Sequence, residues 1–267
     1  MSQYSMISRN CMPRPFRSPC PLAALLAVAL ASGIAGVGSA EDSSKKKVGQ
    51  SESLLELSNW TRQGEWAMAG DIKGNPRKKE WKSIDEDGES ILYNGKKGDT
   101  TDIISKSEYG DVEAKIVFMI PKSSNSGIYF QGRYELQILD SYGKPDEKLK
   151  HADCGGIYER WDESAPEDDK GFEGTPPNTN ASKAPGSWQS FHVLFRAPRF
   201  DESGKKSENA RFVRVVHNGV TIHEDVELTG PTRGGAAEEV ERGPFRIQGD
   251  HGPVAIRKFH VQPMELD

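Results

Sequence analysis

The stretch from Asn125 to Tyr142, NSGIYFQGRYELQILDSY, decides how this chain is read. Its residues separate into two alternating sets. Ile128, Phe130, Tyr134, Leu136 and Ile138 point one way, and Tyr129, Gln131, Arg133, Glu135 and Gln137 point the other. Side chains alternate across a β-strand, so the pattern predicts one long strand from Gly127 to Leu139, apolar on one face and polar on the other. An ordinary half-exposed strand shows the same alternation. On pattern alone the ordinary strand is favoured; the unbroken run of five non-aliphatic positions, with Arg133 next to Glu135 along it, raises the alternative of a binding face. Amide, guanidinium and carboxylate groups in a row can each pair with several sugar hydroxyls.

Working outward, similar short runs fill the chain. Glu113 to Ile120 reads as a strand stopped by Pro121, and Trp188 to Arg196 alternates clearly. Arg211 to His217, Val220 to Glu224, Gly243 to Gln248 and Val254 to Pro263 complete the set. Asn218-Gly219 between two runs predicts a tight hairpin, because both residues tolerate positive φ, and places His217 at an exposed position beside it. Helical periodicity is nearly absent, with one turn at most over Leu54 to Leu57. Many short strands separated by Gly, Pro and Asn turns indicate an all-β antiparallel sandwich or barrel. Two long segments, Asp162 to Ala184 and Thr232 to Arg242, read as loops that either cover a site or merely connect strands.

The first 40 residues read as a secretory signal peptide. Arg9, Arg14 and Arg17 form a basic start, Pro21 to Val37 is apolar, and Gly38-Ser39-Ala40 offers small residues before Glu41. That predicts a secreted or periplasmic protein with no membrane span once the signal is cleaved. Residues 41–53, EDSSKKKVGQSES, read as a flexible leader, and 54–267 as one domain. Three of the 35 basic residues leave with the signal, so 32 face 40 acidic ones and the net charge falls from −5 to −8. An acidic surface disfavours nucleic acid as a partner. Cys154 alone remains of three cysteines, which excludes an internal disulfide and suits a small buried hydrophobe.

No phosphate loop, dinucleotide fingerprint, nucleophile elbow, paired CxxC or HExxH occurs. Usable chemistry sits on the polar row Gln131 to Gln137, at Asp140, in Gln248-Gly249-Asp250-His251-Gly252, and in His151 to Tyr158. Asp250 beside His251 suits either a base held in one tautomer, two ligands for a divalent ion, or simply a tight turn. Trp161 and Trp188 are candidates for stacking on a sugar ring; Trp188 opens a strand and fits a core position better.

These pieces, in order, resemble the bacterial domain of unknown function 1080, the 3-keto-disaccharide hydrolase family. SEYGDVEAKIVF, NSGIYFQGRYELQILDSYG, CGGIY, NASKAPGSWQSFHVLFRAPR, HNGV, ELTGPT and GPFRIQGDHGPVAIRKFHVQP carry the resemblance, from about Ser105 to Pro263. It implies a concanavalin A-like jelly-roll β-sandwich of two antiparallel sheets, with the site on the concave face. It also implies action on small oxidised glycosides, 3-keto-glycosides or 3-keto-disaccharides. In that chemistry the C3 ketone acidifies the C2 hydrogen, a base removes it, the C1 substituent leaves, and water adds. Retaining glucanases of this fold place acids at alternate positions of one strand. The corresponding row here reads Arg133, Glu135, Gln137, a single carboxylate, which does not support the two-carboxylate mechanism.

The resemblance implies, by motif position, Glu135 or His251 as the base, with Arg133 or a divalent ion on the enolate oxygen. Asp140 and Asp250 are the candidate metal ligands or orienting groups. Tyr129, Gln131, Gln137, Tyr158, Trp161 and Gln248 are the candidate substrate-binding residues. The same fold without an acid pair also suits a carbohydrate-binding module that does no chemistry, and an outward-facing leader suits a surface-assembly component.

Overall fold

The computed structural model describes residues 45–61 and 63–267, so the expected signal segment lies outside the described residues. Among these, the only helical elements are three 3-10 turns, Leu57–Asn59, Asp146–Lys148 and Glu167–Asp169. The expected turn at Leu54 to Leu57 thus falls slightly later, and Leu54 itself is fully buried. No helix among the described residues is long and apolar enough to cross a membrane.

Two antiparallel sheets carry the fold. The larger runs in the order Val220–Leu228, Ala210–His217, Gln189–Arg196, Val112–Met119, Ala255–Leu266, Ile91–Tyr93, Ala67–Ala69. The smaller runs Tyr134–Leu139, Asn125–Phe130, Gly243–Ile247, Ile103–Tyr109, Trp60–Thr61. Alternate residues of the larger sheet, among them Ala114, Ile116, Phe118, Phe191, Val193, Phe195, Phe212 and Phe259, are at most 1 % exposed. They meet the apolar face of the smaller sheet in one core. The Phe130 ring lies 5.2 Å from both Phe195 and Phe212 and 5.0 Å from Phe245, and Phe245 lies 5.0 Å from Phe259. Offset and edge-on aromatic contacts of this kind add to the area they bury. This is the expected sandwich.

Three expectations are corrected. Gly127 to Leu139 is a hairpin, not one strand: Asn125–Phe130 pairs with Tyr134–Leu139 in the register Ile128↔Leu136 and Tyr129↔Glu135. Gln131 and Gly132 have φ of 53° and 67°, and the Arg133 N–H donates to the Phe130 carbonyl at 3.0 Å, closing the turn. The three residues between Phe130 and Tyr134 keep the parity of the alternation, so both faces are as the sequence pattern predicts although the chain reverses. His217 is fully buried; the Asn218-Gly219 turn forms as expected, with φ of 51° and 88°, but His217 points into the core beside Phe118 and Phe191. Lys45–Lys47 and Glu52–Ser53, read as flexible leader, pair with the last strand Ala255–Leu266. Backbone hydrogen bonds suffice for such edge pairing, and a polar composition does not oppose it.

Cys154 is buried and unpaired, and its thiol is pushed up to about 12 by desolvation, so it packs as a small apolar group.

Candidate active site

The outer face of the smaller sheet holds the chemistry. The register sets Glu135 beside Tyr129, Tyr129 beside Arg246, and Arg246 beside Ile104, all in one row. In the next row Gln137 is opposite Gly127, and the Gln248 N–H donates to the Gly127 carbonyl at 3.0 Å. Period two puts Asn125 on the same face one row further.

Gly127 is what gives Glu135 its place. A Cβ on residue 127 would stand 2.0 Å from Glu135 Oε1, so the carboxyl lies across a floor that only glycine leaves open. Glu135 is 1 % exposed. Desolvation raises its pKa to about 8, partly offset by the Tyr129 hydroxyl and by Arg246, and reinforced by Asp102. Around this floor, the side-chain oxygens Glu135 Oε1, Gln137 Oε1, Gln248 Oε1 and Asn125 Oδ1 are buried without a hydrogen-bond partner. Buried acceptors are ordinarily satisfied, so four together describe a place shaped for a ligand that brings donors.

Arg246 completes the row. Its guanidinium lies 3.6 Å above the Tyr129 ring centroid, Nη2 donates to the Gly234 carbonyl at 2.8 Å, and Nε stands 3.5 Å from Asp102 Oδ2. Asp102 is in turn held by the Gly249 N–H at 2.9 Å. Arg246 and Asp102 were not singled out from the sequence. The signal was the alternation in GPFRIQGD, which puts Arg246 on the same face as Gln248.

Arg133 and Gln131 lie in the hairpin turn, away from this row. Arg133 donates to the carbonyls of Glu238 and Gln131, and Gln131 Nε2 to those of Tyr109 and Glu241. Both tie the hairpin tip to the segment 232–242. That segment is pinned further by Thr232 and Ala236, whose N–H groups reach the carbonyls of Arg133 and Gly132 at 3.0 Å.

The remaining residues sit around the face. The Tyr158 N–H donates to the Glu135 carbonyl at 3.1 Å, and Tyr158 is half-buried. Trp161 belongs to the short strand Arg160–Trp161 paired with Gly171–Phe172, so the acidic loop after it is partly structured. Arg233 stacks on Trp161 at 3.6 Å, covering one ring face. Trp188 packs with the cluster around Trp81 and Tyr93, the core role favoured from the sequence, and Arg257 lies 4.5 Å over its ring. His251 is exposed in the 249–252 turn, with Nδ1 2.5 Å from Asp250 Oδ1.

Asp140 and Asp250, the candidate metal ligands, are not gathered. Asp140 Oδ2 takes Lys122 Nζ at 2.8 Å and the Ser123 N–H at 2.9 Å, while Asp250 is engaged by His251. Among the described residues no group of three or more His, Cys, Asp or Glu is arranged to hold a cation. This donor set does not fit a protein-held metal.

The model of the 3-keto-alpha-glucoside-1,2-lyase-like domain matches residues 52–262. The chain belongs to this family. The resemblance drawn from the motifs is thereby established, and with it a carbohydrate-active enzyme family. Among solved structures, a provisionally assigned glycosyl hydrolase from Parabacteroides distasonis is similar, with 23 % identity over 80 % of this chain and 83 % of that one, TM-score 0.55. A second from the same organism has 18 % identity over 80 % of this chain and all of its own, TM-score 0.49. At 23 % identity the first likeness speaks to the fold alone, a β-sandwich of the jelly-roll type. No curated protein matches the chain.

Proposed function

We propose that this protein cleaves 3-keto-glycosides by elimination followed by hydration, with Glu135 as the base. The observation that carries the reading is a lone buried carboxyl, pKa about 8, on a glycine floor ringed by unsatisfied acceptors. A base with a pKa near the working pH combines a useful ionised fraction with strong proton affinity. The ring of Gln137, Gln248 and Asn125 oxygens receives sugar hydroxyls, whose O–H groups donate to these unpaired acceptors.

The steps follow from the chemistry of the ketone. Glu135 takes the C2 proton, and the electron pair moves to the C3 oxygen as an enolate. Arg246, stacked and anchored beside Glu135, supplies the positive charge that stabilises this oxygen, in the role first considered for Arg133. The enolate then reforms the ketone as C1=C2 forms and the C1–O bond breaks. The departing oxygen takes up the proton that Glu135 removed from C2. Water adds its hydroxyl to C1 and a proton to C2, so the net reaction is hydrolysis. One carboxyl suffices, whereas a retaining glycosidase needs two.

The test is incubation of residues 41–267 with a 3-keto-glucoside and its unoxidised parent, with and without a chelator. Aglycone release from the keto form alone, unchanged by the chelator, is the expected result. Binding of either compound without release would make the protein a carbohydrate-binding module. Cleavage of the parent would overturn the single-carboxylate argument. A requirement for metal would move the enolate role from Arg246 to a cation.

A further inference from the structure

The mechanism uses one of two stacked guanidiniums beside Glu135 and leaves the other without a role. Arg233 lies flat on Trp161 at 3.6 Å, as Arg246 does on Tyr129. Its backbone is fixed: the Arg233 N–H donates to the Glu159 carbonyl at 2.7 Å, and the next residue's carbonyl accepts from Arg246. The Tyr129 hydroxyl stands 3.5 Å from the Arg233 carbonyl, which places the segment directly beside the Glu135 row.

No carboxylate among the described residues forms an ion pair with Arg233. Two acids in its surroundings have closer partners: Glu159 meets His151 at 3.3 Å, and Glu163, which also feels the Arg233 charge, accepts from Trp161 Nε1 and Lys170. The Arg233 guanidinium makes a side-chain hydrogen bond with the Tyr158 hydroxyl, and a guanidinium carries five N–H donors, so further donors remain for the oxygens of a carboxylate or sulfate. In a chain with a net charge of −5, a positioned cation beside a sugar site with no carboxylate of the described residues at ion-pair distance calls for an explanation from the ligand.

We infer that Arg233, held on Trp161, recognises an anionic group, a carboxylate or a sulfate ester, on the glycoside whose reacting ring lies over Gly127. Arg233 is a specificity residue in this reading, and Trp161 sets its angle. The inference rests on the placement of the sugar ring proposed above, and it concerns binding, which is measurable without the reaction.

The experiment is calorimetric titration of the native chain and of Arg233→Gln with matched unoxidised glycosides. The pairs are methyl glucoside against methyl glucuronide, methyl glucoside against its sulfate ester, and phenyl glucoside against carboxyphenyl glucoside. At least one acidic member should bind about tenfold more tightly than its neutral partner, as a charge-assisted hydrogen bond allows. The pair that shows this tells whether the anion sits on the sugar or on the aglycone. The advantage should vanish in Arg233→Gln and shrink in high salt. Equal affinities within all pairs, or an advantage that survives Arg233→Gln, would overturn the assignment. Anion-selective binding by a protein that fails to release aglycone from 3-keto forms would uphold Arg233 and remove only the elimination reading. Absence of binding to every glycoside would overturn the Arg233 assignment and leave the elimination reading to the aglycone-release assay with the 3-keto form.

Discussion

Glu135 is a carboxyl group whose pKa burial raises to about 8, and this has two measurable consequences. Its folded pKa, about 8, lies above the ordinary value of 4.5, so between those values the folded chain holds a proton that the unfolded chain releases. Stability therefore falls as pH rises through this window, by up to a few kcal/mol at about 1.4 kcal/mol per unit, and levels off above it. Glu135→Gln should flatten that slope, melting at a higher temperature than the native chain at pH near 9 and at a similar temperature near pH 4.5. The same variant should lose turnover by about a thousandfold, near the range of general-base contributions, so a thermal melt and a rate assay on one protein separate folding from chemistry. For the native enzyme kcat/KM should climb with pH and reach its plateau above about 8; a profile that falls over this range would make the protonated carboxyl the working form. Gly127→Ala belongs at this scale as well. The added methyl would occupy the space of Glu135 Oε1, so a loss of more than tenfold in kcat is expected while circular dichroism stays native.

The hairpin Asn125–Phe130/Tyr134–Leu139 is the element on which the site depends. Its turn needs positive φ at Gln131 and Gly132. Gly132→Ala meets nothing closer than 3.7 Å, so its cost is backbone strain alone, about 1 kcal/mol, readable as a shift of the urea midpoint. The turn was legible in hindsight from Gly132, but the alternation across it is unbroken, and a pattern of period two cannot tell a continuing strand from one that reverses over three residues. His217 shows the opposite failure. Its neighbours Asn218-Gly219 correctly mark a turn, and a turn usually exposes its flanks, but here the 210–217 and 220–228 strands carry the residue under the core edge. Burial lowers its pKa from 6.5 to about 3. The folded state refuses a proton that the unfolded chain accepts, so its contribution is complete above pH 6.5 and is lost as pH falls toward 3. Glu135 moves stability the opposite way over part of this range, so the expected observation is a difference: on going from pH 7 to pH 4 the urea midpoint of the native chain should fall relative to that of His217→Gln.

At the scale of the whole molecule, Asp111 ties the end of the chain to the larger sheet. It accepts from the Ala197 and Leu266 N–H groups at 2.9 Å and from Arg199 through both oxygens at 2.7 Å. Asp111→Ala would strand a guanidinium and two amides at once, and a loss of about 3 kcal/mol in global stability is expected, measured by urea unfolding. Sugar binding should persist at low denaturant, since this corner is built from the strand ends of the larger sheet and the site lies on the smaller one.

The sequence by itself determined the all-β class, the positions of most long strands, the family, and which side chains of 125–139 face away from the core. Those features depend on local alternation, on turn residues and on ordered motifs, all of which are present in a linear string. Tertiary structure alone decided that Glu135, Tyr129 and Arg246 stand in one row, because they come from three strands whose register is fixed by packing between sheets. It also decided that Arg133 binds loop carbonyls while Arg246 and Arg233 lie beside the site. Identical side chains acquire different roles according to where the fold places them: Arg133 at a hairpin tip, Arg246 and Arg233 each stacked on an aromatic ring.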